Sequence, residues 1–208
     1  MLTYIKTEVN ILTTKPKFKT IDLVMVPLFV ALMAIGANVT SFLVIGGVPI
    51  TLQALFAIMA GALLGSKLGA TSMIVYLLVG LVGAPIFAQF KGGLSTLVSP
   101  TFGFLLSFIL IAFVAGKIVE KSSVASLKTF LIASYTGLVI TYVLGTNYMY
   151  FAYTTIAQAP EGFTYGMAWG WMIAPLIKDI IVAAIGAVIC ERVYHATRKN
   201  AAKYTVAS

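Results

Sequence analysis

Apolar residues run through this chain in long unbroken stretches, and polar positions are confined to the gaps between them. Stretches that cross, or nearly cross, a bilayer core of about 30 Å occupy residues 21 to 44, 50 to 65, 68 to 88, 98 to 118, 127 to 150 and 168 to 190. They predict six helices. The second stretch is short and follows IGGVPI, so a tilted or partly re-entrant helix is expected there. Neither half of the chain repeats the other, and no low-complexity linker separates them. The expected fold is an all-α membrane protein, a compact bundle of six transmembrane helices. A basic tail at 1–20, a six-helix membrane domain at 21–194 and a second tail at 195–208 complete the organisation.

Composition agrees with the pattern. Of 208 residues, 60% are hydrophobic and 10% charged, too little polar surface to coat a soluble globule. The start, MLTYIKTEVNILTTKPKFKTIDLVMVP, is basic like a signal peptide, but the following apolar stretch is too long for one, so it reads as a retained tail and first span. The net charge of +8 matters through its placement. Lys6, Lys15, Lys17, Lys19, Lys67, Lys117, Lys121, Lys128, Arg192, Arg198, Lys199 and Lys203 all fall on the side of the termini. The opposite loops, near 45–49, 88–97 and 151–167, hold only Lys91 and Glu161. The positive-inside rule then makes both termini cytoplasmic.

Candidate chemistry is sparse. Cys190 has no partner cysteine for a disulfide or metal site. GALLGSK has the wrong spacing for a phosphate-cradling loop, so any ATP hydrolysis belongs to other subunits. The single histidine, His195, lies beyond the last span, and no nucleophile-and-base pair accompanies it; the chain is expected not to be an enzyme. Against this background Lys178-Asp179 stands out inside MAWGWMIAPLIKDIIVAAIGAVI. An ionised group at the centre of a spanning helix costs about 2.5–3.5 kcal/mol on insertion scales, so such residues mark cavities or pathways. The pair has three readings: an ion pair that locks packing, a proton-exchanging group in a solitary ion-coupled carrier, or a ligand site. Pro175, just before it, either kinks the helix or begins it.

A second candidate is the loop FAQFKGGLSTLVSPTFGF. Gly92 and Gly93 let backbone approach a ligand, Lys91 offers a cation to a carboxylate, and Ser95, Thr96, Ser99 and Thr101 add hydroxyls. The bland alternative is a lysine at the headgroups beside a glycine turn. Aromatics including Tyr142, Tyr148, Tyr153, Phe163, Trp169 and Trp171 crowd the same side, as an interfacial belt or as pocket walls. Asn147 either meets a polar ligand edge or caps a helix. In the first span Ala31 and Ala34 form part of a small-residue face, suited to internal packing or to a partner helix.

The block GGVPITLQALFAIMAGALLGSKLGATSMIVYLLVGLVGAPIFAQFKGG, with SPTFGFLLSF and PLIKDIIVAAIGAVI, resembles the BioY family of biotin-binding S components of energy-coupling factor (ECF) transporters. The resemblance spans about Ile21 to Ile189. It implies six helices in a prokaryotic cell membrane, external capture of biotin, and docking through Ala31 and Ala34 onto a scaffold subunit that carries two cytoplasmic ATPases. It implies no intrinsic cofactor, ATP entering only through the partners. The family's glycine-flanked ligand residue falls on Lys91. Its GPxGGY segment falls on Ser99 to Phe104, and a following basic residue on Leu105. Asp179 matches a family aspartate, but the lysine three residues later is Val182, and Lys178 stands one position ahead instead. The implied ligand residues are Lys91, Gly92, Gly93, Lys178 and Asp179, with biotin as ligand; lipoate or another small carboxylate is the alternative.

Overall fold

A computed structural model describes residues 20–206, with side chains from Ile21 to Thr197. Lys6, Lys15, Lys17 and Lys19 lie outside the described residues, as do the side chains of Arg198, Lys199 and Lys203. The described residues form α1 (Thr20–Asn38), α2 (Gln53–Leu64), α3 (Ser66–Leu81), α4 (Phe102–Lys121), α5 (Leu127–Thr155) and α6 (Tyr165–Val206). Each apolar run yields a helix, but the ends differ. The first run stops at Asn38 and is followed by a small antiparallel hairpin, β1 (Val44–Ile45) and β2 (Val48–Pro49). Gly46 and Gly47 turn it with φ of +57° and +75°, the left-handed conformation that a tight two-residue hairpin turn demands. Residues 82–101 leave the helix and form two short 3₁₀ turns, Ala88–Phe90 and Leu94–Val98. At the other extreme α6 continues past residue 194, where a tail was expected, to Val206.

Ile21–Asn38, Phe102–Lys121, Leu127–Thr155 and Tyr165–Thr197 are long and apolar enough to cross a membrane, whereas α2 and α3 are shorter. The 12 residues of α2 rise only about 18 Å, well short of the hydrocarbon core. Its position explains why it tolerates this. It packs against all five other helices, so protein rather than lipid surrounds it. Small residues make that possible: Ala54, Ala57, Ala60, Gly61 and Ala62 are buried, and a Cβ on Gly61 would lie 1.9 Å from the Ala112 carbonyl oxygen of α4.

Carboxylates hold one end of the bundle together. Glu120 of α4 accepts hydrogen bonds from the Ser66 N–H (2.6 Å) and hydroxyl (3.0 Å), capping α3. Glu191 of α6 accepts from the Leu127 N–H (2.9 Å), capping α5. His195 Nε2 donates to the Ala125 carbonyl at 2.9 Å. Lys67, Lys117, Lys121, Lys128 and Arg192 belong to these helix ends. The hairpin, residues 82–101 and the α5–α6 loop lie at the opposite end, with Lys91 and Glu161. Along the flanks, residues such as Ile177, Ile181 and Ile185 stay exposed in an i, i+4 stripe on α6, a surface that suits hydrocarbon rather than water.

Candidate ligand-binding site

The short central helix leaves space above its N-terminus, and there lies a cavity of about 720 Å³. Its walls come from the hairpin and the start of α2, the 82–101 segment, the first turns of α4, the middle of α5, and α6 from Met172 to Asp179. A space of this size suits a small organic ligand.

The charge pair forms one wall. Asp179 Oδ1 lies 2.7 Å from Lys178 Nζ, and Oδ2 accepts a 2.7 Å hydrogen bond from the Tyr142 hydroxyl. Lys178 also donates to the Thr51 carbonyl, tying α6 to the chain between β2 and α2. Neighbouring helical residues do not share a face, so the lysine must fold its long stem back to reach the carboxylate. The pair is mostly buried, with side-chain exposures of 26% for Lys178 and 13% for Asp179. A carboxylate offers about four lone-pair sites, and the protein uses two of them. Pro175 lines the same wall within the continuous α6 helix, which neither starts nor ends there.

Lys91 and Gly92 line the cavity from the 82–101 segment. Lys91 is exposed, and its ammonium makes no hydrogen bond or ion pair among the described residues. Its backbone carbonyl accepts from the Phe87 N–H at 2.9 Å, which closes the turn behind it. At Gly92 a Cβ would meet the Ala84 carbonyl oxygen at 2.3 Å and the Gly80 carbonyl oxygen of α3 at 3.2 Å, so the loop folds back this closely on the end of α3 and the residues after it only without a side chain. Gly93 donates its N–H to Gly80 at 2.7 Å and anchors the loop, but it is not part of the lining. Asn147 lies outside the lining as well. Its Nδ2 donates to the Val143 carbonyl at 2.7 Å, and its Oδ1 accepts from Tyr165 at 3.1 Å, among the aromatic rings.

Sequence reasoning did not single out Gln53, Thr51 or Thr141, all of which line the cavity. Gln53 is the one carboxamide in the run 50–65, a signal that was available. The Thr51 contact is a backbone carbonyl and carries no signal at all. Ser99, Pro100, Thr101, Phe104 and Leu105 also line it, so the segment that resembles GPxGGY is part of the wall. Val182, in contrast, belongs to a minor crevice on the far side of Asp179. Ala31 is exposed on α1, and Ala34 is half-buried against the core.

A bundle of apolar helices enclosing a chamber with a buried charge pair defines a membrane protein that holds a small solute between its helices. The BioY family model matches residues 11–199, and the chain belongs to that family. The Bacillus subtilis (strain 168) relative BioYB is 43% identical over 186 residues, covering 88% of this chain and 92% of its own. The Thermotoga maritima protein named biotin transporter BioY is 35% identical over 171 residues, covering 82% and 99%. A crystal structure described as the S-component for biotin from an ECF-type ABC transporter has the same fold at 23% identity. Its TM-score is 0.69, over 83% of this chain and 89% of that one.

Proposed function

We propose that this chain is the biotin-binding membrane subunit, the S component, of an ECF-type importer. The observation that carries the reading is the charge arrangement of the cavity. Lys178 and Asp179 neutralise each other, which leaves Lys91 as a net positive charge facing a chamber of ligand size. That pattern complements a monocarboxylate with a polar ring. An unused acceptor site of Asp179 suits one N–H group of biotin's ureido ring, and Lys91 suits its carboxylate. Gly92 lets the backbone of that loop border the ligand. The N-termini of α2 and α4 open on the same chamber and add a favourable field for an anion. Family membership and the transporter names of the relatives support the same ligand.

The cavity faces outward in this reading, and the basic end of the bundle faces the cytoplasm, in keeping with the positive-inside rule. ATP hydrolysis falls to two partner ATPases beneath a scaffold subunit that docks on the α1 face around Ala31 and Ala34. The test is a direct titration of the purified chain with biotin, desthiobiotin and lipoate. Biotin and desthiobiotin should bind and lipoate bind far more weakly. Asp179→Asn should weaken biotin by about 30-fold or more, the scale of a lost buried charged hydrogen-bond partner, while His195→Ala leaves it unchanged. Equal affinities of the two variants, or preference for lipoate, would reject the assignment.

A further inference from the structure

A three-membered relay runs from the cavity wall into the bundle. Gln53 lies 3.0 Å from the Tyr76 hydroxyl, which lies 2.8 Å from the Ile86 carbonyl. A carbonyl only accepts, so Tyr76 spends its single proton on Ile86. The tyrosyl oxygen must then accept from Gln53, and the amide atom facing it must be Nε2. This bond counting fixes the amide orientation, which is otherwise a free choice between two flips. Oε1 is thereby turned away from Tyr76 and makes no hydrogen bond among the described residues. Gln53 lines the cavity yet is only 4% exposed; Tyr76 is 1% exposed and is not part of the lining.

We infer that Tyr76 is a positioning residue that fixes the polarity of Gln53 towards the ligand and so selects a ring bearing N–H groups. Held in this way, Gln53 presents an acceptor, Oε1, and a second N–H in one plane. That edge complements the adjacent N–H and C=O of a cyclic urea. A carboxylate placed there would face the lone pairs of Oε1, and a dithiolane ring would cover Oε1 without offering it a donor. The ligand is thereby oriented with its ring towards Gln53 and its carboxylate towards Lys91. This deepens the biotin reading and rests on it.

The test is a double-mutant cycle read by biotin titration, using wild type, Tyr76→Phe, Gln53→Met and the double variant. Tyr76→Phe removes one oxygen and keeps the ring packed edge-on against Phe87, with ring centroids 5.5 Å apart. Gln53→Met keeps the side-chain length and loses the amide. Each single change should weaken biotin by about tenfold, as for the loss of one buried hydrogen bond, and the double variant should be no weaker than Gln53→Met alone. An unchanged affinity for Tyr76→Phe overturns the inference. So does multiplication of the two losses, which would mean that Tyr76 acts by holding the loop at Ile86 rather than by orienting the amide. Wild type that fails to bind biotin is a separate outcome: it rejects the biotin reading, and the role of Tyr76 falls with it.

Discussion

At the scale of single residues, the decisive question in the cavity is which charges are already spent. Lys178 gives one donor to Asp179 and one to Thr51, so its charge is largely committed to holding α6 against the start of α2. Lys91 has no such engagement, and its charge remains available to a ligand. Lys91→Gln should therefore erase the preference of the protein for biotin over biotin amide, while the amide itself binds as it does to wild type. Side-by-side titrations of acid and amide check this; a preference that survives in Lys91→Gln would return the carboxylate to Lys178. The Lys178–Asp179 pair was legible in the sequence because an ion in an apolar helix is costly and needs a reason, whereas Lys91 drew attention through the glycines beside it. Gln53 was not, since a neutral carboxamide in an apolar run carries a weaker signal. Asn147 illustrates the same limit: it is chemically like Gln53, but its partners are Val143 and Tyr165.

At the scale of elements, the length of α2 links packing to function. A helix enclosed by five others does not need to match the bilayer, and the height it lacks is where the cavity sits. Enclosure depends on glycine at the tightest contact, and this gives a prediction of sign. Gly→Ala inside a helix is ordinarily stabilising by about 1 kcal/mol. At Gly170 of α6, where a Cβ would meet nothing within 4 Å, the substitution should raise the melting temperature or leave it unchanged. At Gly61 the same change drives a methyl into the Ala112 carbonyl, so the melting temperature should fall, by about 2–4 °C for each kcal/mol of overpacking. Thermal melts of Gly61→Ala and Gly170→Ala in the same detergent decide it; shifts of equal sign would deny that backbone contact sets the place of α2. Helix number was readable from the apolar runs. Helix ends were not, because hydrophobicity continues through residues 39–45 while Gly46 and Gly47 turn the chain into a hairpin, and α6 persists through polar residues beyond 190.

At the scale of the whole molecule, the proposed function asks two surfaces to work independently: a cavity for the ligand, and an outer face for the partners that would energise release. The cavity is walled by residues from Gly47 onwards and takes nothing from α1. On α1, Leu23, Val24, Leu28 and Ala31 are exposed, whereas Phe29, Met33 and Ala37 are buried against α2 and α3. An exposed apolar face in a membrane protein is by default a lipid face, and the isoleucine stripe of α6 serves as the comparison. Ala31→Trp and Ile177→Trp place the same bulk on the two faces. Neither should change biotin affinity in the isolated chain, because neither residue lines the cavity. If helix α1 docks the scaffold, Ala31→Trp should abolish co-purification with the partner subunits and biotin uptake by cells, because tryptophan prevents the close helix approach that small residues permit. Ile177→Trp, set in a lipid-facing stripe, should leave both intact. Uptake that survives Ala31→Trp would assign this face to lipid and send the search for the docking surface to the remaining helices.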